Sequence, residues 1–129
     1  MSQSNKGRKI LVIDDDPTLI ALIKGVLEAH DFEPLLANEA PLGLEMAIKQ
    51  SPDLIILDVM MPIINGYNIC RLMKTESGHK KIPIILLTSR AEEADRKIGE
   101  EVGADGYISK PFETQHLIQM INSLLSVYK

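Results

Sequence analysis

Four aspartates, a threonine and a lysine stand where they could handle a phosphoryl group. Asp14, Asp15 and Asp16 follow directly on the apolar run Ile10-Leu11-Val12-Ile13, and Asp58 closes the run Leu54-Ile55-Ile56-Leu57. Thr88 and Ser89 close the run from Ile82 to Leu87, and Lys110-Pro111 comes shortly after Tyr107-Ile108. Carboxylates crowded into one place repel each other and raise each other's pKa. If Asp14, Asp15 and Asp58 met with Lys110 beside them, the local charge would be −3 + 1 = −2, which one divalent cation cancels. Oxygen-only ligands select a hard ion, and Mg2+ takes a few carboxylates together with water and a phosphate oxygen. The set therefore predicts a Mg2+ site that also handles a phosphoryl group. Asp16 directly precedes Pro17, so it reads as the cap of a helix rather than as a ligand.

These residues can meet only if the apolar runs are neighbouring strands of one sheet. Runs 10–13, 54–57 and 82–87 are continuous rather than alternating, as expected of strands buried on both faces of a parallel sheet. Leu35-Leu36-Ala37 and Tyr107-Ile108 are weaker candidates. Segments of helical period lie between them. Pro17 to His30 carries Leu19, Ile20, Ile23, Val26 and Leu27, and Asn38 to Gln50 carries Leu42, Leu44, Met46 and Ile48. Tyr67 to Thr75 follows an Asn65-Gly66 turn, Ala91 to Val102 carries Ala94, Ile98 and Val102, and Phe112 to Tyr128 carries Leu117, Ile121 and Leu124. Strand and helix thus alternate five times, with roughly 22–28 residues per unit, a spacing that suits right-handed βαβ crossovers. Pro34 inside the second strand places that strand at an edge. The expected fold is an α/β, doubly wound, five-stranded parallel sheet of order 2-1-3-4-5 flanked by five helices. Ligands of such sheets bind beyond the carboxyl ends of the strands, where all the candidate residues stand.

The chain's 129 residues fit one domain, with residues 1–7 expected as a loose arm and 8–129 as the folded unit. Apolar residues make up 45% and charged residues 25%, which excludes a disordered or fibrous chain. A net charge of −4 argues against direct nucleic-acid binding, which needs a basic surface. A single Cys supports neither an internal disulfide nor a Cys-based zinc site, and no signal peptide or membrane span is visible. A cytoplasmic domain is the expectation. His30, His79 and His116 show no metal spacing, the six Met read as core filler, and Cys70 reads as a small buried residue.

The stretches ILVIDDDP (10–17), LIILDVMMP (54–62) with NG (65–66), IPIILLTSRAEEADR (82–96) and GADGYISKPF (103–112) resemble the receiver domain of bacterial two-component response regulators. The likeness runs over residues 8 to 127 and has a flavodoxin-like fold. It implies Asp58 as phosphoacceptor, with Asp14 and Asp15 as the acidic pair. Asp15, Asp58 and the carbonyl of Met60 would hold Mg2+ directly, Asp14 partly through water, and Mn2+ could substitute. Lys110 would pair with a phosphoryl oxygen, aimed by a cis Lys110-Pro111 peptide. Thr88 would bond another oxygen, and Tyr107 would turn inward with it as a switch. The partner implied is a sensor histidine kinase or phosphotransfer protein. The domain would be no metabolic enzyme, catalysing only its own aspartyl phosphorylation and dephosphorylation. Phosphorylation would alter the surface of the fourth predicted helix, fifth strand and fifth predicted helix, and so control a partner or output domain.

Met60 and Arg90, each two residues past a site residue, would hinder an attacking water, so slow self-dephosphorylation is expected. RAEEADR and GADGY resemble the winged-helix transcription factors, whose receivers dimerise through charged pairs on that surface. Arg96 and Glu101 agree, but Gly106, His116 and Met120 replace charged residues. The fifth predicted helix also carries more apolar positions than one core stripe needs. They are either simply buried, or a face for a hydrophobic partner or for self-association shared with the fourth predicted helix. Asp14 to Thr18 also matches the D-x-D-x-T motif of haloacid-dehalogenase-like phosphatases, with Asp14 as nucleophile and Asp16 as general acid. That reading leaves Asp58 unused. A receiver-like binding module without phosphorylation is a third reading, which the intact Asp14, Asp15, Asp58, Thr88 and Lys110 oppose.

Overall fold

The computed structural model describes residues 7–75, 81–89, 97–98 and 100–127. Five parallel strands form one sheet: β1 (Lys9–Ile13), β2 (Glu33–Ala37), β3 (Leu54–Asp58), β4 (Ile84–Thr88) and β5 (Gly106–Ser109), in the order β2-β1-β3-β4-β5. Four helices are bounded among the described residues: α1 (Pro17–Ala29), α2 (Ala40–Gln50), α3 (Gly66–Thr75) and α4 (Thr114–Val127). The expected helix over 91–102 lies mostly outside the described residues, although Lys97, Ile98, Glu100 and Glu101 are helical. The expected arm falls outside them too, apart from Gly7.

Both faces of the sheet are covered, which explains the continuous apolar runs. Along each strand, side chains alternate between two cores. Leu11, Ile13, Ile55, Leu57, Ile84 and Leu86 pack with Ala40, Ala47, Ile69, Cys70, Met73 and Val102. Ile10, Val12, Leu54, Ile56, Ile85 and Leu87 pack with Ile23, Leu27, Leu117, Ile121 and Leu125 on the other face. Pro34 sits in edge strand β2, where only β1 pairs with it.

α2 departs from the expected pattern. Its buried residues are Ala40, Gly43 and Ala47, while Leu42 and Ile48 are exposed. A Cβ on Gly43 would come 2.6 Å from Ile13 Cδ1, so the helix docks on β1 through its small residues. Bulky residues at that face would hold the helix off the sheet. The apolar positions of α4 go largely to the core. Leu117, Ile118, Ile121 and Leu125 are buried, and Met120 and Leu124 are partly buried against the same core. Met120 is there because Gly106 of β5 has no side chain: a Cβ at 106 would lie 2.6 Å from Met120 Sδ. An apolar contact within the chain stands where Gly106 and Met120 replace charged residues.

Candidate functional site

The parallel register brings the carboxyl ends of the three central strands level. Leu57 pairs with Ile13, Asp58 with Leu87, and Thr88 with Ser109. Asp14 stands one residue past β1, and its N–H extends the ladder to Ala37 O at 3.1 Å. Lys110 stands one residue past β5, its N–H bonded to Thr88 O at 2.6 Å, and its peptide bond to Pro111 is cis. From this tether the ammonium turns back over the sheet edge. Lys110 Nζ lies 3.1 Å from Asp14 Oδ2 and 3.3 Å from Asp58 Oδ1.

Among the described residues, the buried polar side chains are Asp14, Asp58 and Thr88, at 0%, 4% and 1% exposure. Charges are rarely so deeply buried without a purpose or a partner. All three belong to the predicted set. Asp15 is exposed, yet carboxylate oxygens of Asp14, Asp15 and Asp58 lie within 4.8 Å of one another. Asp14 Oδ1 accepts from Asp16 N at 2.9 Å, and Asp58 Oδ1 accepts from Met60 N at 3.3 Å, so the loops themselves aim both carboxylates. The Met60 side chain is 55% exposed, and Tyr107 packs partly buried against the α2–α3 core.

The electrostatics show a site short of positive charge. Burial pushes the Asp58 carboxyl above its ordinary pKa, and the Asp14 charge pushes it further, outweighing the help from Lys110. Burial alone would lower the Lys110 pKa, but its hydrogen bond and attraction to Asp14, then to Asp58, hold it above the ordinary lysine value. One ammonium therefore serves two buried carboxylates and leaves Asp58 undercompensated. An oxygen-lined cluster of three carboxylates with this surplus of negative charge fits a hard divalent cation, held by Asp14, Asp15 and Asp58.

Asp16 takes no part in the cluster through its side chain. Its Oδ1 accepts from Thr18 N at 3.0 Å and Leu19 N at 3.4 Å, capping α1 as its position before Pro17 predicted. This capping role counts against Asp16 as the general acid of the phosphatase reading. Arg90 and Arg96 lie outside the described residues. Cys70 is buried with its thiol pushed up to about 11 by burial, an unreactive core group. In the sequence, Gly66 reads as a turn residue only. The structure shows it pressed against the backbone behind Asp58, a contact for which the Asn65-Gly66 dipeptide gives no signal.

Fold and site define a doubly wound domain with an acidic, lysine-bridged pocket at the carboxyl edge of its sheet. A family model described as the response regulator receiver domain matches residues 10–122. The DNA-binding response regulator MtrA of Mycolicibacterium smegmatis is 35% identical over 118 residues, 92% of this chain and 50% of MtrA. The phosphate regulon transcriptional regulatory protein PhoB of Klebsiella pneumoniae is 37% identical over 118 residues, 92% of this chain and 52% of PhoB. Among solved structures, the receiver domain of sensor histidine kinase PA1611 from Pseudomonas aeruginosa matches with a TM-score of 0.85 at 26% identity, covering 93% of this chain and 98% of that one. That structure has a magnesium ion coordinated in its active-site cleft. The chain belongs to the response regulator receiver family, signalling domains of two-component systems whose partners are histidine kinases. It spans about half the length of the curated relatives it matches. No helix among the described residues is long and apolar enough to cross a membrane.

Proposed function

We propose that this chain accepts a phosphoryl group on Asp58 from a sensor histidine kinase or phosphotransfer protein in the cytoplasm, in a Mg2+-dependent reaction. The observation that carries this reading is the Lys110 ammonium set between two buried carboxylates, 3.1 Å from Asp14 and 3.3 Å from Asp58. Asp14, Asp15, Asp58 and the carbonyl of Met60 would hold the ion, with Mn2+ able to replace Mg2+. When bound, the cation supplies charge neutralisation to the transferring phosphoryl group. A bond forms between an Asp58 carboxylate oxygen and phosphorus as the bond from phosphorus to the donor breaks. Such transfer demands positioning and neutralisation more than a strong nucleophile. Lys110 is already anchored to do both. The new acceptor oxygens would draw Thr88 and Lys110 toward the phosphoryl group, with Tyr107 turning inward as the switch. The surface around Lys97–Glu101, β5 and α4 then changes its partner or output domain.

Met60, half-exposed two residues past Asp58, would shield the phosphoryl group from water. Slow self-dephosphorylation is the expected outcome, with a phosphoryl half-life well beyond seconds at neutral pH. A half-life of seconds, measured by loss of trapped label, overturns that part.

The test of the main reading is phosphosite mapping. The protein is incubated with a small phosphodonor and Mg2+, the acyl phosphate is trapped chemically, and mass spectrometry locates it. Label on Asp58 that requires Mg2+ is the expected result. Label on Asp14 would support a phosphatase instead, and no label with no Mg2+ binding would indicate a phosphorylation-independent binding module.

A further inference from the structure

Gly66 opens α3, and its φ is not in the left-handed region, so conformational freedom is not why a glycine stands there. The reason is space. A Cβ at this position would collide with the carbonyl oxygen of Asp58, and would lie 2.8 Å from Val59 Cα and 3.0 Å from the Asp58 carbonyl carbon. All three are backbone atoms, which cannot swing aside as a side chain can. The same residue holds that backbone from its own side, since Gly66 N–H donates to Val59 O at 2.9 Å. On the strand side, Val59 N–H donates to Leu87 O at 2.9 Å. The peptide link that carries Asp58 into Val59 is therefore gripped between β4 and the first residue of α3. Immediately beyond it, Met60 N–H bonds to Asp58 Oδ1 and so sets the direction of the carboxylate. Asn65 fixes the helix start, its side-chain oxygen accepting from Asn68 N at 3.0 Å.

We infer that Gly66 is a positioning residue for the phosphoacceptor: its missing side chain lets the start of α3 seat against the Asp58–Val59 peptide and fix the direction of the Asp58 carboxylate and of the Met60 backbone. This rests on the reading of Asp58 as phosphoacceptor. β3 is a central strand, paired on both sides, so a methyl group at 66 must displace α3 or the 58–60 segment by a good fraction of an ångström. Reaction geometry is sensitive on that scale, and supporting contacts around ion sites are commonly worth tenfold or more.

The experiment compares wild type, Gly66→Ala, Asn65→Ala and a packing control, Leu125→Ala, in the core on the opposite face of the sheet. Thermal unfolding is recorded for each. Mg2+ dissociation constants and the Mg2+ dependence of labelling by a small phosphodonor are then measured at a temperature where the variants are folded. The expected result is a Mg2+ affinity at least roughly tenfold weaker and labelling at least tenfold slower in G66A, with L125A near wild type on both. N65A, which loosens the seat without adding atoms, should lose a few-fold in Mg2+ affinity. If G66A does not fold, N65A decides: a few-fold loss supports the inference and an unchanged affinity overturns it. G66A that is less stable but binds Mg2+ and takes label like wild type overturns it outright. Wild type that takes no label on Asp58 removes the phosphoacceptor reading, and this inference with it.

Discussion

Asp58 is held at a cost that the proposed phosphoacceptor role explains. Its pKa is raised, first by burial and then by the Asp14 charge, so the folded state holds its proton more tightly than the unfolded chain does. Linkage gives the sign: as pH climbs from the ordinary carboxylate range through the raised folded pKa, the native state releases a proton it favoured, and stability falls. Asp58→Asn removes this loss. The metal-free variant should melt above wild type at neutral pH. The gap should close as pH falls below the ordinary Asp value of 3.8. Mg2+ should stabilise wild type far more than D58N. Melting curves over pH check all three, and a D58N variant no more stable than wild type would show that Lys110 already compensates both carboxylates.

At the level of elements, positions near the site and positions far from it obey different constraints. Gly25 lies on the exposed side of α1, and a Cβ there would meet nothing within 4 Å. Gly25→Ala should therefore stabilise the protein by about 0.5–1 kcal/mol through helix propensity alone, measured by urea unfolding. The opposite end of the sheet is tied by a charged knot. Lys74 Nζ on α3 lies 2.7 Å from Asp105 Oδ2 and 2.9 Å from Ile82 O, and the same Asp105 oxygen accepts from Ile84 N at 2.9 Å. The knot joins α3 to the segments entering β4 and β5, with little of either side chain exposed. Lys74→Met should cost about 3 kcal/mol, because Asp105 keeps its charge without that ammonium. A loss below about 1 kcal/mol would mark the pair as solvated.

For the whole molecule, the open question is what the surface of β5 and α4 meets. Met120 closes over Gly106, and the other described apolar side chains of α4 go into the core. The expected outcome in sedimentation is a monomer without a phosphoryl mimic, since the described apolar side chains of α4 are buried or partly buried against the core. A dimer that appears only with the mimic would place self-association under control of the site.

The layered architecture and nearly all of the candidate site are legible in the order of residue types. Continuous branched runs can be satisfied only by strands covered on both faces, and the aspartates, Thr88 and Lys110 each sit at the end of such a run. Bounds moved by only one or two residues, as at α1, where Pro17 and the Asp16 cap mark the start chemically. Tertiary packing settles which face of α2 docks, because small residues, Ala40, Gly43 and Ala47, are the buried ones and Gly43 leaves room for Ile13. It also settles that Met120 belongs over Gly106, and that Gly66 is needed for room rather than for a turn. Those facts are distances between segments far apart in the chain or across a loop, and a linear pattern of residue types does not contain them.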